Sequence, residues 1–199
     1  MLQNGLRRIR TLPPKRRFSK EEIVKTAVDL VRKEGASALT ARNLGKMLGT
    51  SSSPIFTVFN SMDEVQNEVL IEANKVYQKY IIDSMSQNKY PPYKASGMGY
   101  ICFAKEEKEL FKLLFMRDRT NEKYSDQIEE IRPIIEIIKK NTGLCEEDAI
   151  RFHTDMWIVV HGMATMIATN YLDWDMEYMS QVLTDTYFGL RTRFIGEDK

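Results

Sequence analysis

Apolar residues recur at three- and four-residue steps along most of the chain, and no stretch alternates with period two. That periodicity predicts helices throughout. The first opens at Ser19-Lys20-Glu21-Glu22, where the serine and the second glutamate have capping-box spacing. Ile23, Ala27, Leu30 and Val31 form its inward stripe, and Gly35 ends it. A short second helix is expected after Thr40, whose side-chain oxygen can take an orphan N–H, with Leu44, Met47 and Leu48 on one face. Gly49 follows the last apolar residue, where a chain leaving a helix turns through a left-handed conformation. Ser51 is placed to cap a third short helix, with Pro54 in its first turn and Ile55, Phe56 and Phe59 inward. Ser61-Met62-Asp63-Glu64 is a second capping box and opens a long helix to about Gln87, roughly 40 Å at about 1.5 Å per residue.

Asn88-Lys89-Tyr90-Pro91-Pro92 breaks the pattern, and helices follow over about 93–105, 108–117, 125–141, 146–170 and 176–194. The expected fold is all-α with about nine helices. Within it, a short helix, a tight turn at Gly49 and a second short helix have the layout of a helix-turn-helix, which lays one helix in the major groove of DNA. The organisation read from these elements is a basic flexible arm over 1–18, a three-helix head over 19–62, and a helical body over 63–199.

The 146–170 helix is apolar on more than one stripe. Ile150, Met156, Trp157, Val160, Met163, Ala164 and Ile167 form one side, widened by Val159, Gly162, Met166 and Ala168. A helix apolar that far round is expected to be buried on two sides. The last helix is narrower, with Tyr178, Met179, Val182, Leu183, Tyr187, Leu190 and Phe194 at helical spacing. Two long antiparallel helices of this kind fit half of an intermolecular four-helix bundle, so a homodimer through the last two helices is expected.

Charge sharpens the picture. The chain has 199 residues and a formal net charge of +1, but residues 1–50 hold twelve Lys and Arg against four acids, and the remainder is acidic. A basic end on an acidic body suits a polyanion bound at that end, and double-stranded DNA is the expected partner. Arg16 and Arg17, which abut the first helix, are placed to reach phosphates. Catalysis finds no support: Cys102, Cys145, His153 and His161 form no nucleophile–base set. No metal or cofactor is expected, because these residues lack ligand spacing. No run approaches the roughly eighteen apolar residues needed to span a bilayer, and no secretory signal is visible, so the expectation is a cytoplasmic protein with no membrane contact.

Thr40, the pair Leu44-Gly45, Gly49-Thr50-Ser51 at the turn, Ile55-Phe56, and the run Phe59-Asn60-Ser61-Met62-Asp63-Glu64-Val65 form an ordered set. On these residues, within about 19–70, the chain resembles the tetracycline-repressor (TetR/AcrR) family of bacterial regulators. Trp157-Ile158-Val159-Val160-His161-Gly162 is similar to the Trp-x-x-x-His-Gly signature of one C-terminal subgroup, preceded by Glu109–Phe115. The chain departs from the family where Phe56 replaces the usual Tyr, Met62 the usual Lys, and Val58 a His or Tyr, which removes three polar contacts to DNA backbone.

The resemblance implies a ligand-responsive regulator, by family default a repressor, that binds a palindromic operator as a dimer and is released by a small effector. It places Ser52, Ser53 and Thr57 at base edges and Arg42 near a guanine O6/N7 pair. Thr40, Ser51 and Asn60 would then hold phosphates, and Phe56 would touch a thymine methyl. It also implies an effector pocket in the body, for which Phe103, Phe115, Met116, Met156 and Trp157 supply suitable lining. The rival reading is a dimeric small-molecule-binding protein whose head has degenerated and binds DNA weakly or without specificity.

Overall fold

The computed structural model describes residues 18–118, 120 and 124–196; the side chains of 124–128 and 130 are not among those described. The helices are α1 (Lys20–Glu34), α2 (Ala41–Met47), α3 (Met62–Ser86), α4 (Pro92–Glu106), α5 (Lys108–Phe115), α6 (Tyr124–Thr142), α7 (Glu146–Ala168) and α8 (Met176–Ile195). Short 3-10 segments stand at Ala36–Ala38 and Ile55–Thr57, and no strand occurs among the described residues. The chain is all-α, as the periodicity predicts.

Helix starts follow side-chain caps. Ser19 and Glu22 make the reciprocal capping box, each accepting the other's backbone N–H. Thr40 Oγ1 accepts from the Asn43 N–H at 3.2 Å, and Ser61 Oγ from the Glu64 N–H at 3.3 Å. The box at Ser61 is not closed as expected. Glu64 reaches past Ser61 to the backbone N–H of Asn60 at 2.7 Å and to its amide at 3.1 Å.

The expected third short helix differs more. After Gly49, at φ +70°, the chain runs through a turn and a single 3-10 segment, and Ser51 makes no cap. Pro54 occupies the cap position of that segment without a side-chain bond, and the three preceding serines supply no apolar contact to hold a longer helix. What anchors the segment is Ile55 and Phe59, both in the core.

The buried apolar side chains form one continuous core from Ile23 in α1 to Leu183 in α8. Helix α4 lies at its centre and packs against α3, α5, α6, α7 and α8. The aromatic rings of Tyr77, Tyr100, Phe103, Phe111 and Phe115 close edge-on and tilted with centroids 5.0–6.4 Å apart, filling the junction of α3, α4 and α5. Within the single chain, helix α7 is covered on one of its two apolar sides. Met156, Val160, Met163, Ala164 and Ile167 are buried, but Trp157 is 42% and Ile158 58% exposed, so one apolar stripe of α7 faces outward.

Candidate nucleic-acid interface

α2 and the segment 51–57 meet backbone to backbone. A Cβ on Gly45 would stand 2.9 Å from the Ser51 carbonyl carbon and oxygen and 3.0 Å from the Ser52 nitrogen, so only glycine fits there. The Gly45 carbonyl accepts the Thr50 N–H at 2.9 Å, which closes the turn. Leu44 and Ile55, both fully buried, hold the two halves to the core. The result is a compact turn whose outer surface carries short polar side chains.

The structure distributes the expected residues unevenly over that surface. Arg42 is exposed on α2, with Lys46 one turn later, and neither has an ion-pair partner among the described residues. Ser51 and Ser53 are exposed and Ser52 half-buried; their hydroxyls have no hydrogen bond among the described residues. Thr57 is exposed, but its hydroxyl donates to the Pro54 carbonyl at 2.7 Å. Asn60 is exposed and its amide is held by Glu64. Thr40 spends one lone pair on its cap. Phe56 is 47% exposed, whereas its neighbours Ile55 and Phe59 are buried. Arg16 and Arg17 lie outside the described residues. Among residues 18–62 six basic side chains face four acidic ones, so most of the positive charge of the first fifty residues belongs to 1–17.

Two further cations of this region, Lys20 and Arg32, are used internally, whereas Lys25 is exposed with no ion-pair partner among the described residues. Lys20 pairs with Glu68 across α1 and α3 at 2.6 Å, and that hydrogen bond raises its pKa. Arg32 grips both oxygens of Glu107 through Nε and Nη2 at 2.9 Å each, joining α1 to the junction of α4 and α5. Beside it Tyr80 donates to Glu106 at 2.7 Å. A groove of about 620 Å³ runs between α1 and α3, floored by Val24, Val28 and Val76. None of these pairs has a local signal in the sequence; Arg32 and Glu107 are 75 positions apart.

The expected effector-lining residues do not gather around one point. Phe103 and Phe115 share the aromatic junction. Met156 is buried on the inner face of α7, Trp157 lies on its outer face, and Met116 at the end of α5 is 44% exposed. Trp157 stacks on His161 with centroids 4.7 Å apart and planes 15° from parallel. His161 Nδ1 meets the Tyr100 hydroxyl at 2.9 Å, and His153 Nδ1 meets the Tyr93 hydroxyl at 3.1 Å. Two Tyr–His pairs therefore bridge α4 to α7, at steps of seven and eight residues. Burial lowers both imidazole pKa values, that of His153 to about 4.

Residues 93–187, from the first turn of α4 into α8, match the family model described as tetracyclin repressor-like, C-terminal domain. Over that stretch the chain belongs to the TetR family. A TetR-like transcriptional regulator from Rhodococcus sp. RHA1 shares the fold of this TetR-family chain, with a TM-score of 0.66 over 90% of this chain and 97% of that one. Identity between the two is 11%, so the likeness is one of fold. No curated protein matches the sequence. Among the described residues of this TetR-family chain, no group of three or more His, Cys, Asp or Glu could hold a metal ion. No described helix is long and apolar enough to cross a membrane.

Proposed function

We propose that this TetR-family chain is a ligand-responsive transcriptional regulator that binds a palindromic operator as a dimer and represses until a small effector releases it. The N-terminal helices to about residue 62 are the DNA-binding head, and the rest is the ligand-binding and dimerisation body. The observation that carries the reading is the Gly45–Ser51 contact. It closes a tight turn between α2 and the 51–57 segment, whose outer surface offers Arg42, Lys46 and free serine hydroxyls, while Lys20 and Arg32 are paired internally. Arg42 is the residue assigned to a guanine O6/N7 pair.

The outward stripes of α7 and α8 support dimerisation. Trp157, Ile158, Tyr178 and Phe188 are each 42% exposed or more, and a Cβ on Gly162 or Gly189 meets nothing within 4 Å. A helix of a second copy can approach closely along such small residues. A second reading, a ligand-binding dimer with a weakened head, is favoured by Phe56, Val58 and Met62 and by the small charge excess of residues 18–62.

Selection of bound duplexes from a random library at near-physiological salt, with sedimentation of the free protein alongside, tests the reading. A palindromic motif bound by a dimer is expected, and Arg42→Ala should weaken it by roughly 1–3 kcal/mol while sparing random DNA. A folded dimer that enriches no sequence would favour the second reading and refute the first.

A further inference from the structure

On the surface of the turn two large apolar side chains are exposed, Met47 at the end of α2 and Phe56 in the segment after it. The neighbours Ile55 and Phe59 are 0% and 2% exposed and complete the local core, whereas the Phe56 ring is 47% exposed. The half-exposed ring gives the segment an apolar face beside its serine hydroxyls, and that face can take an apolar group of a bound duplex.

The surroundings define that group. From Met47 to Asn74 the chain holds no Lys or Arg, so nothing after the turn can make the bidentate contact that picks out guanine. The polar groups nearby are largely spent: the Thr57 hydroxyl donates to Pro54, and the Asn60 amide is held by Glu64. The free hydroxyls of Ser52 and Ser53 both donate and accept, and they discriminate poorly between bases. In the major groove one base feature is apolar, the 5-methyl group of thymine, which 5-methylcytosine also carries.

We infer that Phe56 reads a pyrimidine 5-methyl group, so that each operator half-site carries a methylated pyrimidine, thymine in ordinary DNA, against this ring. The inference rests on the DNA-binding reading above and adds the base feature on which the reading segment depends. The methyl leaves water against the ring face. Burying one such group corresponds to about a fourfold gain in affinity per half-site, or roughly fifteenfold for a two-fold-symmetric site.

The test uses the full chain and the duplex recovered by selection. Thymines are replaced one position at a time by deoxyuridine, which removes the methyl and keeps every hydrogen-bonding group. Binding is followed by fluorescence anisotropy at one fixed salt concentration. One thymine per half-site should show about a fourfold loss on replacement. Phe56→Ala should bind both duplexes equally, and Phe56→Leu should keep part of the difference. At the same position 5-methylcytosine should outperform cytosine with the wild-type chain. A defined motif with no uridine-sensitive thymine, or a sensitivity undiminished in Phe56→Ala, overturns the inference and leaves the DNA-binding reading standing. Failure to enrich any sequence overturns both.

Discussion

Replacing Gly45 with alanine sets two effects of opposite sign against each other. Gly45 lies inside α2, and alanine in a helix interior is favoured over glycine by about 1 kcal/mol. The new methyl, however, would stand 2.9 Å from the carbonyl carbon and oxygen of Ser51 and 3.0 Å from the nitrogen of Ser52. These are backbone atoms of the turn, so no side chain can swing aside and the turn itself must move. Overpacking of this kind costs about 1–3 kcal/mol. The move would also stretch the 2.9 Å bond from the Thr50 N–H to the Gly45 carbonyl, which has no other protein donor to replace it among the backbone bonds of the turn. The balance is a net loss of about 1–2 kcal/mol. Urea unfolding followed by circular dichroism reads this as a midpoint lowered by roughly 0.5 M, with a slope of about 2–3 kcal/mol/M for a domain of this size. A midpoint above that of wild type would mean that the turn yields freely, and the argument that glycine is required there would be wrong.

Two further outcomes follow from the body and its junction with α1. Both half-buried imidazoles have their pKa lowered by burial, and for His153, lowered to about 4, the unfolded chain binds a proton that the folded chain does not between the ordinary histidine pKa of 6.5 and about 4. Stability is therefore whole above pH 6.5 and falls as pH drops toward 4, by up to about 3 kcal/mol for His153 and less for any solvent reaching the ring. Thermal melts across pH 4–7.5 should show a steeper fall in wild type than in His153→Gln, and equal slopes would refute the assignment. At the junction, Glu107→Gln keeps the size but weakens the paired bonds from Arg32, and a loss of about 1–2 kcal/mol is expected. An unchanged melting temperature at low salt would show the pair to be a solvated contact only.

The helix boundaries were legible because they are written locally. Ser19, Thr40 and Ser61 each cap within three residues, and Gly49 marks its turn by itself. The form of the segment after the turn was not legible. The periodicity of Ile55, Phe56 and Phe59 is compatible with an α-helix, and only tertiary anchoring through Ile55 and Phe59 leaves it a 3-10 segment with Phe56 outside. Which stripe of α7 its own chain covers was not legible either, since a helix apolar on two stripes does not say which one that is; Trp157 lies on the uncovered one. The bridges made by Arg32, Tyr93 and Tyr100 span 60 residues or more, and no local pattern encodes them.

The pairs Tyr93–His153 and Tyr100–His161 act on α4 and α7 as two rivets act on overlapping plates. One rivet allows a pivot; two, separated by about two helical turns, leave neither pivot nor slide without shearing a hydrogen bond. Relative motion of α4 and α7 is thereby opposed at two points, by about 1 kcal/mol at each. α3 and α5 both pack on α4, and Arg32 ties α1 to Glu107 at the end of that same helix, so the riveted pair has direct contacts to the elements that carry the N-terminal turn.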